Sequence, residues 1–513
     1  MLSAFAHNTN NFWSLSKIVL FPKRLPSYFT ERYLYRAFGT WPTPVVVANH
    51  PMEPHVTPVD LSAFPSVWKR ENVILHKLFG KHGYELRIAG GAVRDILLGT
   101  NPHDIDYATN ATPTQMNEMF LKENIRTLNR NGEAHGTVTV RIEDKVNFEI
   151  TTLRVDSEPD GRHTKVLFTD DWGLDAARRD LTVNSMFLGF DMDSLPEISE
   201  SDTHQSMDSA RPVTGRIYDY FDGQNDLKDR RVRFVGDAAA RIKEDYLRIL
   251  RYFRFYGRLS KSPDYDVHDP DTLKAISDNA KGLSRIAGER CWMELRQILL
   301  YPSTPTILRR MAHVGVLSYL GLPSSPNFTE MDQLWNRGIL ATSPNSATCL
   351  ASLLADLDQI DTLNNRLRLS NFEVSILGYI VKHREKCINL KKTDALEFYQ
   401  RELLLSKMAE GKFRPVLTEV MKYVAMDPDL YQQWMSWEPQ KFPVKGQILQ
   451  EKWGIPSRSM HRYMFALRTQ WVDSNCKMTA DELLTDENRA LIEVHPIVTE
   501  PSPTRSHPKR ARR

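Results

Sequence analysis

The chain predicts an α+β protein, a head of strands and helices followed by an all-helical remainder, on three observations. β-rich runs cluster in the first third: residues 84–89 read as a short buried strand, and 136–142 and 147–154 alternate apolar and polar side chains. After about Asp226 strand patterns vanish and helical periodicity takes over. The length of 513 residues, at about 150 residues per domain, corresponds to three or four units. With 41% hydrophobic and 26% charged residues the composition is that of an ordinary globular protein. No run of about 18 apolar residues is present, so a membrane span is not expected. Cys291, Cys349, Cys387 and Cys476 are scattered with no CxxC pair, which signals neither structural zinc nor a disulfide framework.

Residues 1–60 are expected to be presequence and linker. Within residues 1–41, Lys17, Lys23, Arg24, Arg32 and Arg36 stand against the single acid Glu31, a mitochondrial presequence composition, and the apolar stretch 18–21 is too short for a secretory signal. Residues 42–65 are proline-interrupted, and Met52 within them offers a start for a shorter cytoplasmic or nuclear product. The head is assigned to 61–225, the helical neck to 226–300, the helical body to 301–400, the helical tail to 401–488 and a basic disordered tail to 489–513. Residues 191–215, with six acids and one Arg, read as a disordered insertion without catalytic role.

The head carries the chemistry. Gly90 and Gly91 form a turn where backbone amides can approach a phosphate, and residues 92–98 form a helix whose N-terminus favours anions. Asp104, Ile105 and Asp106 then occupy a second strand, whose alternation turns both carboxylates to one face and Ile105 into the core. A lone DxD is most often a solvated turn. Here two repelling carboxylates follow a phosphate-type turn, which favours a divalent cation between them, Mg²⁺ bridging to substrate phosphates being the usual occupant. Glu149, in the run Asn147-Phe148-Glu149-Ile150, supplies a third carboxylate on a neighbouring strand, and three carboxylates suit two-metal phosphoryl transfer. Residues 156–168 read as a mobile loop, His163 being one of its side chains rather than a base, and His135 lacks partners at metal-ligand spacing.

In the neck, residues 238–259 read as one amphipathic helix, with Tyr246, Ile249, Leu250 and Phe253 on one arc and Asp245, Arg248, Arg251 and Arg254 on the other. Such a stripe is commonly a solvated face. From Lys228 to Lys261, however, eleven Lys/Arg stand against four Asp/Glu while the whole chain nets only +3, a concentration that favours a triphosphate or an RNA backbone. Asp245 beside Arg248 also offers an acceptor next to a donor, the complement of the amino and ring-nitrogen edge of cytosine and adenine. Uracil and guanine present the reverse pattern. Further helices are expected at 271–279, 289–300, 305–311, 347–357, 371–386, 394–408, 414–424 and 460–472.

Five motifs in order make the chain similar to a known family, the class II CCA-adding tRNA nucleotidyltransferases of the DNA polymerase β superfamily. They are GGAVRD…DIDYAT at 90–109, RRDLTVNS at 178–185 with Leu181 in place of the usual aromatic, DYFDGQNDL at 219–227, EDYLRILR at 244–251, and Gly288-Glu289-Arg290 with Glu294-Leu295. The likeness is dense to about Leu300 and weaker to about Leu484, and is nearest to the animal mitochondrial members. It implies a polymerase β-like mixed-sheet head and an all-helical neck, body and tail that grip tRNA. It implies addition of C, C and A to tRNA 3′ ends from CTP and ATP with Mg²⁺. Asp104, Asp106 and Glu149 would be catalytic, the two aspartates holding metal. Gly90, Gly91, Arg94, Arg178, Arg179, Asp180 and Asn184 would bind nucleotide; Asp245 and Arg248 would read the base, with Arg251 and Arg254 in support. The loop at 156–168 would assist the switch from C to A addition. A poly(A) polymerase of the same superfamily, or a catalytically silent tRNA-binding protein, are the alternatives. Oligomeric state is not legible in the sequence.

Overall fold

The head is organised around one eight-stranded sheet of order β1-β10-β9-β2-β3-β6-β5-β4. The computed structural model describes residues 52–128, 130–160, 163–198 and 211–494. The strands are β1 (His55–Asp60), β2 (Leu86–Ala89), β3 (Asp106–Thr109), β4 (Arg126–Leu128), β5 (Thr137–Ile142), β6 (Val146–Thr152), β9 (Phe187–Phe190) and β10 (Thr214–Asp219). Only β3 and β6 pair in parallel. One face is closed by helices α1 (Arg70–Lys81) and α3 (Pro113–Lys122), which bury Val73, Phe79, Met116 and Phe120 with Ile88, Tyr107, Phe148 and Ile150 of the strands. Proline at N1 and a Thr112/Gln115 capping box start α3 where the chain leaves the sheet.

Four expectations are corrected here. Residues 55–60 are not linker but the edge strand β1, paired antiparallel with β10. Pro58 is tolerated because an edge strand has one side without a ladder partner. The expected loop at 156–168 is mostly a hairpin, β7 (Arg154–Asp160) antiparallel to β8 (His163–Phe168), forming a sheet of its own in which His163 opposes Asp160. The flanks of the expected insertion are ordered: Leu195 and Val213 are buried and Thr214 opens β10, while 199–210 lie outside the described residues. At the far end, residues 489–494 continue a helix, Asp486–Val494. The expected presequence, 1–41, and the basic residues 509–513 also lie outside the described residues.

The long neck helix divides. α6 (Ala238–Glu244) and α7 (Arg248–Leu259) are separated at Asp245, whose backbone is extended at φ −148°, ψ 108°. Its carboxylate accepts the Leu247 amide at 3.0 Å, a local side-chain bond that competes with the helical ladder. The buried face of α7 is formed by Ile249, Leu250, Tyr252, Phe253, Phe255, Tyr256 and Leu259. Its arginines are not free: Arg248 pairs with Glu244, Arg251 with Asp180 of the head at 2.5 Å, Arg254 with Glu294 at 2.8 Å, and Arg258 with Asp95 of the head at 2.9 Å. The basic surplus in this segment therefore meets acids from other elements instead of forming an open cationic stripe.

Past the neck, the predicted helices are present with shifted ends, Ser346–Ala351 being the most shortened. Phe328–Asn336, Asp358–Leu367, Pro428–Ser436 and Gly446–Trp453 are additional. One core runs from the head to Trp434, and a second gathers apolar residues from Val444 to Ile492. No helix among the described residues is long and apolar enough to cross a membrane.

The Arg251–Asp180 pair joins neck to head with Asp180 almost fully buried. Burial alone would raise the Asp180 carboxyl, but the charge and hydrogen bond of Arg251, the Leu181 amide and Arg248 together hold it below the usual carboxylate range. Because the folded-state value is depressed, the stabilisation is present above the ordinary carboxylate range and is lost as pH falls through the folded value. Asp180→Asn should cost about 1–3 kcal/mol at neutral pH. The variant should also lose less stability than the native protein on acidification below about pH 5, measured by denaturant unfolding. Equal pH slopes for the two proteins would refute the assignment.

Candidate active site

Strand parity sets the catalytic face. In the parallel ladder Tyr107 lies opposite Ile150, and both are buried against α1 and α3. One residue earlier on each strand, Asp106 and Glu149 therefore project side by side from the opposite face, where both are exposed. Asp104 is not in the strand: β3 begins at Asp106, and Asp104 sits exposed in the preceding bend. Its nearness to Asp106 thus comes from the bend rather than from strand alternation, and Ile105 is only partly buried against the core. The Asp106 carboxyl is held above the ordinary range, first by desolvation in its crowded setting, with Arg179 opposing and Asp104 adding to the rise.

That electrostatic state fits a cation. Two hard carboxylates whose joint ionisation is opposed are relieved by a divalent ion between them. Among the described residues no three His, Cys, Asp or Glu side chains converge closely enough to enclose an ion. Mg²⁺ does not require this, since it commonly takes one or two carboxylates and completes its octahedron with water and substrate phosphates.

Gly90 turns the chain from β2 into α2 (Gly91–Leu97) with φ +67°, and a Cβ there would lie 2.9 Å from Arg179 Nη1 and 3.3 Å from the Asn184 carbonyl. Both conformation and space require glycine at this position. Arg179 thus leans over the turn while also acting on Asp106, which places a guanidinium between phosphate turn and carboxylates. It is oriented by Asp175, buried in α4 (Trp172–Ala177), which pairs with Arg178 at 2.8 Å and Arg179 at 3.1 Å. Burial raises the Asp175 carboxyl, but the two arginines and the Arg154 amide more than reverse this and hold it below its usual range. Asp175 was not singled out from the sequence, although its spacing of three and four residues before Arg178 and Arg179 is the signal.

Arg94 is placed differently from expectation. It is buried, with Nη1 on the Asn184 side chain, Nε and Nη2 on Asp95 at 3.1 and 2.9 Å, and its guanidinium carbon 4.8 Å from the Phe255 ring centroid. It lies behind the glycine turn, supporting it, and Asn184 and Asp180 are likewise buried partners. Arg251 and Arg254 also lie over Phe255, at 5.6 and 4.5 Å, each committed to its carboxylate.

Asp245 and Arg248 flank the break between α6 and α7. The Asp245 carboxylate accepts the Leu247 amide through one oxygen and Arg290 through the other at 2.9 Å. Arg248 donates to Glu244 and to the carbonyls of Arg241 and Arg178. Three of its five N–H donors are so used, and lone pairs remain on Asp245. The pair retains capacity for a base edge and is held rigidly by the protein around it.

Residues 86–233 match a family model described as the poly A polymerase head domain, and 269–325 match one described as a probable RNA and SrmB-binding site of polymerase A. The chain is 43% identical over 424 residues to the Homo sapiens protein named CCA tRNA nucleotidyltransferase 1, mitochondrial, covering 82% of this chain and 91% of that one. The Mus musculus protein of the same name is 43% identical over 426 residues with the same coverage. In fold the chain is similar to the crystal structure of the Bacillus stearothermophilus CCA-adding enzyme in complex with CTP, with TM-score 0.57, 24% identity, and 79% of this chain and 93% of that one covered. A likeness that runs at this identity through head, neck and most of the helical remainder goes well beyond a shared catalytic head. The chain belongs to the class II CCA-adding tRNA nucleotidyltransferases.

Proposed function

We propose that this protein adds C, C and A to the 3′ ends of tRNA, using CTP and ATP, and that Asp104, Asp106 and Glu149 are its catalytic carboxylates. The observation that carries the reading is the register of β3 with β6, which sets Asp106 and Glu149 side by side on the open face next to Asp104. In the reaction the terminal 3′ hydroxyl of tRNA forms a bond to the α-phosphorus, the bond to the β-phosphate oxygen breaks, pyrophosphate leaves, and the hydroxyl proton passes to solvent. Magnesium bound by Asp104 and Asp106 would acidify that hydroxyl and neutralise the triphosphate.

The chain's own groups do the rest. Gly90 and Gly91 let backbone amides approach the phosphates, and Arg179, steered by Asp175, offers them positive charge. Arg94, Asn184 and Asp180 hold the turn and the neck in place from behind. Asp245 accepts from the amino group of cytosine or adenine while Arg248 donates to the adjacent ring nitrogen, the two contacts that uracil and guanine reverse. Likeness to a CCA tRNA nucleotidyltransferase over 82% of this chain and 91% of that one favours this activity over a poly(A) polymerase, and the carboxylate set gives no reason for a binding-only role. The relatives' mitochondrial names and the basic composition of residues 1–41 support a mitochondrial location.

Asp104→Ala and Asp106→Ala should each abolish CMP and AMP addition while tRNA affinity stays near native, with Glu149→Ala equally or slightly less severe. Single-turnover assays and tRNA gel shifts separate the two effects, and near-native turnover in either aspartate variant would sink the assignment.

Asp245→Ala and Arg248→Ala should each lower kcat/KM for CTP and ATP by roughly tenfold to a hundredfold while preference against UTP and GTP shrinks. Arg248→Lys should not rescue fully, because an ammonium lacks the planar fork. Equal losses for all four nucleotides, on tRNA ending before the first C and before the A, would instead assign the pair to structure or phosphate binding.

Residues 1–41 fused to a reporter should carry it into mitochondria, whereas protein starting at Met52, which retains all of β1, should remain outside and keep full activity in vitro. Loss of activity on removing residues 1–51 would make that segment part of the enzyme.

A further inference from the structure

Of the four paired arginines on α7, Arg254 and Arg258 fall outside every motif that marks the family, and of these two only Arg258 pairs with the head. It stands seven residues beyond Arg251, about 10 Å along the helix. Arg251 and Arg258 are the two that reach acids of the head, Asp180 and Asp95. Arg248 on the Arg178 carbonyl and Arg251 on Asp180 hold the start of the helix to the head, and Arg258 adds a polar tie about two turns further on. That tie leads directly to the site. Arg258 donates to Asp95 Oδ1 at 2.9 Å, and the same oxygen takes Arg94 Nε and Nη2. Arg94 in turn donates to Asn184 and lies 3.6 Å from where a Gly91 Cβ would stand. Hydrogen bonds therefore run from Arg258 through Asp95 to Arg94, whose backbone amide donates to the Gly90 carbonyl at 3.2 Å. Arg258 is 39% exposed, so the pair itself adds little to global stability. Its value lies in alignment.

We propose that Arg258 is a positioning residue for nucleotidyl transfer. Through Asp95 and Arg94 it holds the Gly90–Gly91 turn in fixed register with the base-reading end of α7. A nucleotide whose base satisfies Asp245 and Arg248 then has its α-phosphate over the carboxylates, and one whose base does not satisfy them is misplaced. This inference rests on the assignment of Asp245 and Arg248 as base readers.

The test compares Arg258→Lys, Arg258→Met and Arg258→Gln in the full chain, with kcat and KM for CTP, ATP and UTP on tRNA lacking the terminal nucleotides, and thermal midpoints for each. Arg258→Met and Arg258→Gln should leave the midpoint within a few degrees of native, lower kcat for CTP and ATP roughly tenfold with little change in KM, and narrow the CTP-to-UTP ratio several-fold. Arg258→Lys, which can still reach a single carboxylate oxygen, should restore most of both. Native kcat and discrimination in Arg258→Met overturn the proposal. So does a uniform loss for all nucleotides that follows a lowered midpoint, and so does failure of lysine to rescue. Asp245→Ala in parallel separates the two levels: if it leaves discrimination unchanged the base-reading assignment falls, whereas the lysine rescue of kcat still judges the tie.

Discussion

Four guanidinium groups on one helix at the junction of head and neck each meet a carboxylate, and for Arg248 and Arg254, the least exposed, the partner offsets the cost of desolvation. Desolvating a charge without a partner costs several kcal/mol. The acids are drawn from different parts of the chain: Glu244 from the preceding helix, Asp180 and Asp95 from the head, Glu294 from the later helix Gly288–Ile298. Two of these pairs, Arg251 with Asp180 and Arg258 with Asp95, span neck and head. Phe255, beneath the guanidiniums of Arg94, Arg251 and Arg254, adds a ring face to the same junction.

The catalytic face depends on a simpler constraint. In a sheet closed on one side by helices, parity decides which side chains are buried, and burial of Tyr107 and Ile150 leaves Asp106 and Glu149 on the open side. A one-residue slip of β6 would bury Glu149 and expose Ile150. The hydrophobic pattern of the head thereby protects the geometry of groups that contribute nothing to its stability.

Much was legible because it is local. The glycine turn, the alternating strands around Ile150 and the apolar face of the neck helix follow from period and residue type, and the structure agrees on each. The errors also have local causes. Prolines marked 55–60 as linker, yet an edge strand accommodates Pro58. The Pro-Asp-Gly sequence and mixed charges marked 156–168 as loop, although its described residues pair as two antiparallel strands. Helical period carried the reading of 238–259 across Asp245, because a side-chain bond to a backbone amide leaves no mark in hydrophobicity. The charge surplus of 228–261 favoured a polyanion, and nothing in that window names Asp180, Asp95 and Glu294, the acids that pair with three of its arginines.

By itself the sequence determined the head of strands and helices, the helical remainder, the carboxylate and glycine motifs and the kind of reaction they serve, because each is written in residue types a few positions apart. Only the tertiary structure decided which groups stand at the open face and which lie behind it. Arg94 and Arg179 read alike in one dimension, yet one is buried under the glycine turn while the other leans over it toward Asp106. Pairing of Arg258 with Asp95, across more than 160 positions of chain, exists only once the neck has docked. The physical reason is that periodicity and propensity act over a few residues, whereas the balance of charge in a buried junction is settled between segments that meet only in the folded protein.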